Sequence, residues 1–401
     1  MKQPTGYVDP TQPNHVCLLH KALYDLKQAP RGWFEQLKST LLKWGFKCLT
    51  SDTSLFNTTM KGAPLFLLVY VDDILITGAN SSTIAQLIHD LHSKFALKLL
   101  GSVSYFLGFE AIRTVVGLFL TQFKYATELL QKTSFDDSKE APTPMILGNK
   151  LCLGNRPLFD KSEVYRSVLG ALQYLTLTRP DFSFSVNKLS QFIKAPTVNH
   201  WTAYKRVLRY IRGTIHLGLH FKPTAVMSLE EYSDVDWASN LDDRKSTSGF
   251  CLFLGGNLIS WGSRKQQAIA CSSTESKYHA LASTATELIW LHSLLTELGI
   301  KISMVPTLWC DNQGAQALTI NLVFHSQTKH IEVDVHYVRT QVAEKRFEVR
   351  YIPSTEQPAD LFTKPITSPR FEFLCDKLNL DYSNYSLRGA VRNITNSILE
   401  S

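Results

Sequence analysis

Leu65-Phe-Leu-Leu-Val-Tyr-Val-Asp-Asp-Ile-Leu-Ile-Thr-Gly78 sets two adjacent carboxylates, Asp72 and Asp73, between two apolar runs. The pattern predicts a β-hairpin with an acidic tip. Ionised neighbours there repel each other and lose hydration, which is unfavourable unless cations neutralise them. Two Mg²⁺ ions about 4 Å apart would do so, and such a pair serves nucleotidyl transfer. Acidic residues also fill turns for purely conformational reasons, so the pair alone leaves both readings open.

The chain has 401 residues, 44% hydrophobic and 19% charged, a globular composition with room for two or three domains. A net charge of +7 suits a polyanionic partner. Seven scattered cysteines without a Cys-x-x-Cys pair argue for reduced thiols over a zinc knuckle or a disulfide framework. No apolar run approaches the roughly 20 residues needed to span a bilayer. The opening Met-Lys-Gln-Pro-Thr-Gly has neither signal- nor transit-peptide character. An intracellular protein, cytoplasmic or nuclear and without a membrane partner, is expected.

Outward from the hairpin, helices are predicted at 31–44, 82–95 and 123–132, and strands at 105–110 and 117–121. A polar stretch with Pro142, Pro144, Gly148 and Gly154 reads as a linker, 135–156, closing a first domain at 134. Residues 157–227 read as helical. Lys205, Arg209 and Arg212 share one face of a helix at 201–212, interleaved with Trp201, Tyr204 and Tyr210. Such a face is either simply solvated or a nucleic-acid backbone contact.

Residues 228–366 give three strands (231–237, 248–254, 257–263), a long helix (273–298), a strand (307–310), a helix (331–345) and a strand (347–352). That order predicts an α/β layer with a mixed sheet. Residues 367–401 form a tail. Asp234, Asp311 and Asp360 fall at strand ends or a helix start, where distant side chains converge on one sheet rim, and converging carboxylates can hold divalent metals for phosphodiester hydrolysis. Individually each reads first as a cap or turn residue, and it is the order of elements that makes the set a site. The long helix should add an acid near its N-terminus. Glu275 is available, but Lys277 borders the buried stripe (Tyr278, Leu281, Ala285) more closely.

Further segments carry a resemblance: Lys21-Ala-Leu-Tyr-Asp-Leu-Lys-Gln-Ala-Pro-Arg31, Tyr70-Val-Asp-Asp73, Tyr105-Phe-Leu-Gly108, Thr178-Arg-Pro-Asp181, Val207-Leu-Arg-Tyr210, Tyr232-Ser-Asp-Val-Asp-Trp237, Asp243-Arg-Lys-Ser-Thr-Ser-Gly249, Trp309-Cys-Asp-Asn312, His325-Ser-Gln-Thr-Lys-His-Ile331 and Ala359-Asp-Leu-Phe-Thr-Lys364. With these, residues 1–390 resemble the C-terminal part of the Pol polyprotein of copia-type LTR retrotransposons. The resemblance implies an α+β reverse-transcriptase palm and thumb, a helical connection, and a ribonuclease H-like mixed-sheet domain. It implies RNA, DNA and RNA·DNA hybrid as partners, and two Mg²⁺ ions per site, on Asp72 and Asp73 for polymerisation and on Asp234, Asp311 and Asp360 for hydrolysis. Lys27, Gln28 and Arg31 are implied on the template and substrate side, and His325 or His330 would assist proton transfer or serve structure.

Three departures shape the expectation. Relatives carry a strand with a further catalytic Asp upstream, so a truncated palm is expected, without fingers or first palm strand. Asp25 stands where relatives usually have Gly. Ser272-Ser-Thr-Glu-Ser-Lys-Tyr278 puts Lys277 where relatives have a metal-binding Glu. The expected function is therefore a fragment of an RNA-directed DNA polymerase with ribonuclease H, catalytically impaired. The alternatives are a non-catalytic nucleic-acid-binding remnant and a host-adopted ribonuclease H-like interaction module.

Overall fold

The computed structural model describes residues 2–18, 28–148, 150–154, 157–320 and 332–382. It is mixed α+β and falls into two compact units: Met1–Gly101 with Ser293–Ile300, and Ser102–His292 with Lys301–Ser401.

The first unit runs α1 (Ala29–Lys43), β1 (Lys47–Cys48), β2 (Leu55–Met60), β3 (Ala63–Tyr70), β4 (Asp73–Gly78) and α2 (Ser81–Lys94). Its antiparallel sheet has the order β1-β2-β3-β4. Strand alternation buries Leu65, Leu67 and Val69 of β3 against Leu37 and Leu41 of α1 and Leu87 and Leu91 of α2, pairs spaced by one helical turn. Asn80 caps α2 by accepting from the Ser82 N–H at 2.9 Å. The predicted hairpin is present, with Tyr70 paired to Asp73 across a two-residue turn, Val71-Asp72.

The second unit begins with β5 (Tyr105–Phe106), β6 (Phe109–Thr114) and β7 (Gly117–Thr121), followed by α3 (Phe123–Thr133), α4 (Ser162–Leu175), α5 (Ser183–Ser190), α6 (Val198–Gly213) and β8 (Leu217–Phe221). The single strand expected at 105–110 is two, because Leu107 (φ 46°) and Gly108 (φ 77°) turn the chain back. A Cβ on Gly108 would lie 1.7 Å from the Tyr174 hydroxyl, which donates to the Leu107 carbonyl at 2.6 Å. β7 pairs with β8, and β8 with β14 (Leu380–Tyr382), giving the sheet β14-β8-β7-β6-β5. This pairing moves the boundary between units to 101/102 from the expected 134/135, since strands on both sides of residues 135–156 share one sheet.

Next come β9 (Leu229–Asp236), β10 (Thr247–Leu254), β11 (Asn257–Lys265), α7 (Ser273–Glu297), β12 (Thr307–Cys310), α8 (Gln313–Ile320), α9 (Glu332–Ala343), β13 (Glu348–Tyr351) and α10 (Ser368–Lys377). The sheet order is β11-β10-β9-β12-β13, antiparallel through β9 and parallel from β9 to β13. The expected element order is thus present, with α8 added. One core runs from Leu129 through Leu172, Phe182, Leu208 and Cys251 to Phe362 and Leu374, so the helical region and the mixed sheet are packed together.

Two buried polar features stand in that unit. Arg179 grips Asp181 with two parallel hydrogen bonds, 3.0 and 2.7 Å, and Tyr210 donates to the same carboxylate at 2.6 Å. Thr178-Arg-Pro-Asp181 and Val207-Leu-Arg-Tyr210 are thereby one structural lock between a helix end and α6. Glu231 is fully buried on β9 with no hydrogen-bond partner on either carboxyl oxygen among the described residues. Burial first, and the charge of Glu287 second, push its pKa well above the ordinary carboxylate value.

Asp181→Ala strands the Arg179 guanidinium in the core and is expected to cost about 3–5 kcal/mol in denaturant titrations. For Glu231, a folded pKa above the unfolded value of about 4.3 means its favourable contribution is complete below that pH and is lost as pH rises through the folded value. Glu231→Leu should therefore gain stability on the wild type progressively from acidic to alkaline pH, measured as the difference in Tm. A pH-independent difference would contradict this.

Candidate functional site

At the acidic hairpin, Val71 takes φ 52°, a conformation strained for a β-branched residue. The Trp33 indole N–H donates to the Val71 carbonyl at 3.1 Å and holds the turn from α1. Asp72 and Asp73 are both exposed. Two carboxylates at an exposed tip are the oxygen donors a hard cation accepts. Gln28 and Arg31, at the start of α1, are also exposed. Lys27, Asp25, His325 and His330 lie outside the described residues.

Asp234, Asp311 and Asp360 do converge. β9 and β12 are parallel neighbours, so Asp234 near the end of β9 and Asp311 just after β12 emerge at the same rim. Opposite Asp234 in the ladder is Gly249. A Cβ there would lie 2.6 Å from the Phe362 Cβ, and the bare backbone lets the 358–362 turn close onto β10. That turn delivers Asp360, and its next residue, Thr363, donates to Asp234 Oδ2 at 2.5 Å.

Cations fill the cluster. Lys277, in the second turn of α7, reaches Asp234 Oδ1 at 3.4 Å and also bonds Asp311 Oδ1. Lys364 Nζ lies 2.7 Å from Asp360 and 3.5 Å from Asp234, and Arg370 Nη2 lies 2.8 Å from Asp360. Ser354 donates to the remaining oxygen of Asp311 at 3.0 Å. Three carboxylates thus face three cations. The Asp234 side chain is fully buried, and those of Asp311 and Asp360 nearly so.

The titration directions follow. Burial opposes ionisation of Asp234, but Lys364, Lys277 and the Thr363 hydroxyl outweigh it and hold the carboxyl below its usual range. Burial, with the Asp234 charge behind it, raises Asp360. Burial would lower both ammonium groups, and the facing carboxylates reverse this, so Lys277 and Lys364 stay charged above their ordinary value. Asp236, two residues along β9, is raised by burial and then by Asp234, with Lys364 opposing.

This donor set does not fit a divalent ion, because an ammonium already bridges the two carboxylates such an ion would share. Among the described residues, no three His, Cys, Asp or Glu groups are placed to hold a metal. Glu275 stands apart from the cluster: it accepts from the Cys271 N–H at 2.8 Å and lies 3.8 Å from His279. Lys364 was legible as an i, i+4 partner of Asp360 and Thr363 lay within the quoted Ala359–Lys364 segment, whereas nothing in the sequence pointed to Ser354 for this site.

The basic face of α6 is largely committed. Arg209 donates to the carbonyls of Lys139 (2.5 Å) and Glu140 (3.4 Å), Arg212 to that of Asp136, and Arg206 to Thr143 Oγ1 at 3.0 Å. The stretch read as a linker is strapped to this helix by three guanidinium groups, and Lys205 remains exposed.

His279 also contacts Asp334 of α9 at 2.5 Å, and that hydrogen bond is the main cause of its raised pKa. The contact is favourable below the unfolded value of about 6.5 and is lost as pH rises through the folded value. In a histidine NMR titration, His279 should titrate above that value in the wild type and lower in Asp334→Asn. Equal titration in the two proteins would refute the pairing.

Residues 1–147 match the family described as reverse transcriptase (RNA-dependent DNA polymerase). The chain is 44% identical over 392 residues to the retrovirus-related Pol polyprotein from transposon RE2 of Arabidopsis thaliana, covering 98% of this chain and 27% of that protein. It is 30% identical over 291 residues to a protein of Saccharomyces cerevisiae ascribed to transposon Ty5-1, covering 72% of this chain and 94% of that one. A foamy viral protease-reverse transcriptase, solved in complex with dsDNA, aligns at 15% identity and a TM-score of 0.45 over 83% of this chain and 60% of its own. The chain spans about a quarter of the length of the Pol polyproteins it matches first, 27% and 26%. The chain belongs to the Pol polyprotein family of copia-type retrotransposons.

Proposed function

We propose that the chain supplies the polymerase hairpin and the ribonuclease H-like domain of a retrotransposon Pol protein, and that the second of these binds RNA·DNA hybrid without hydrolysing it. The observation that carries this reading is the Lys277 ammonium between Asp234 and Asp311. Water activation on a carboxylate-held metal pair needs those oxygens free, and here they are engaged.

At the hairpin, Asp72 and Asp73 would hold Mg²⁺, which supplies charge neutralisation for nucleotidyl transfer when bound. The chain's own residues do the positioning: β3 and β4 set the pair at a rigid tip, and Trp33 fixes the turn beside it. Contact with the nucleic-acid backbone falls to Gln28 and Arg31 in the first unit, with Lys27 expected to join them from its place in the sequence, and separately to Lys205 in the second unit. Arg209 and Arg212 contribute mainly by ordering residues 136–140. RNA and DNA are the partners. A reducing compartment, cytoplasm or nucleus, suits seven scattered cysteines without a Cys-x-x-Cys pair.

The second reading, a binding module with neither activity, is favoured by the same filled site. One assay separates them and a second tests the filled site, both using the purified full chain. On a primed RNA template with dNTPs and Mg²⁺, the first reading expects extension that Asp72→Asn abolishes, and the binding-module reading expects none. On an RNA·DNA hybrid, both expect salt-sensitive binding with cleavage at background. Hybrid cleavage by the wild type, lost in Asp311→Asn, would overturn the proposal for this site.

A further inference from the structure

Asp234 and Asp311 leave two parallel neighbouring strands at one rim. Without a cation their charges would push those strand ends apart. Lys277 reaches both from α7, with only 16% of its side chain exposed. At this depth the pair is poorly screened, unlike an exposed salt bridge, whose contribution is small. Asp360 already has Lys364 and Arg370. If the Lys277 charge were absent, the three carboxylates would face two cations: Asp311 would lose its ion pair, and Asp234 would keep only Lys364, 3.5 Å away and shared with Asp360. The oxygens then uncovered are Asp234 Oδ1 and Asp311 Oδ1, with the Ser354 hydroxyl beside Asp311. An all-oxygen, net-negative set of this kind suits Mg²⁺ or Mn²⁺.

We infer that Lys277 is a built-in replacement for a divalent cation, which keeps this end of the sheet assembled without metal and covers a latent divalent-ion site that removal of this one side chain would open. The inference rests on the reading of Asp234, Asp311 and Asp360 as a ribonuclease H-like cluster, and it adds that the metal's structural role has passed to an ammonium. Lys277→Glu would place a fourth carboxylate in the cluster and so make its assembly depend on a bound ion. Lys277→Gln removes the charge and adds none.

The test is thermal unfolding of the full chain in EDTA, in Mg²⁺ and in Mn²⁺, for the wild type, Lys277→Gln and Lys277→Glu. Asp311→Asn is combined with each to distinguish this site from Asp72 and Asp73. The wild type should show no ion-dependent shift that Asp311→Asn removes. Lys277→Glu should melt lower in EDTA and recover by roughly 5–10 °C with ion at about 100 times its Kd, a gain that Asp311→Asn abolishes. Lys277→Gln should respond in the same direction by less. If Lys277→Glu fails to fold in EDTA, rescue by Mn²⁺ and the Lys277→Gln series still decide the matter. An Asp311-dependent shift in the wild type, or no shift in either variant, would overturn the inference. Hybrid binding measured in EDTA fails separately, since its loss would count against the nucleic-acid reading and leave the ion titrations untouched.

Discussion

The Lys277 ammonium, shared between Asp234 and Asp311, is the interaction on which the candidate site depends. Parallel pairing of β9 with β12 sets two carboxylates at one rim, and the turn at 358–362 adds a third. In a setting this buried, like charges at contact cannot all remain ionised without counter-charges. Lys277 provides one from α7, and Lys364 and Arg370 provide the others from just after the turn and from α10, so two segments distant in sequence are tied to one sheet end. The same bonds that stabilise the rim remove the oxygens a metal would use.

The second unit repeats this use of paired charge. Arg179, Asp181 and Tyr210 form a closed buried network in which every charged atom has a partner. Glu231 is the contrary case, a buried acid whose pKa is pushed up by its surroundings. On α6, guanidinium groups facing solvent in a helical projection instead hold backbone carbonyls of residues 136–140. Basic residues thus serve structure in this unit at least as much as they are available to a polyanion.

Much of this was legible in the sequence. The hairpin at 65–78, β7, and the order from β9 to β13 follow from alternation and helical periodicity. Asp234, Asp311 and Asp360 could be singled out because strand ends place side chains at a rim. The place of Lys277 beside the carboxylates was legible from helical geometry, since 277 borders the buried stripe of α7 and 275 does not. What was not legible is non-local. β7–β8 and β8–β14 pairings join segments some hundred or more residues apart, and no local pattern announces them. The turn at Leu107-Gly108 was hidden because Leu rarely adopts positive φ, and its partner Tyr174 lies far along the chain. The stretch 135–156 looks like a linker by composition alone. Residues 136–143 are held by Arg206, Arg209 and Arg212 through three backbone carbonyls and the Thr143 hydroxyl, targets that carry no sequence signature.

The most direct measurement is a crystal structure of the wild-type chain grown with Mn²⁺, with anomalous scattering recorded at the manganese edge. The account predicts the Lys277 ammonium between Asp234 and Asp311, and no manganese peak there. A manganese ion between those carboxylates, with the Lys277 side chain displaced, would contradict it.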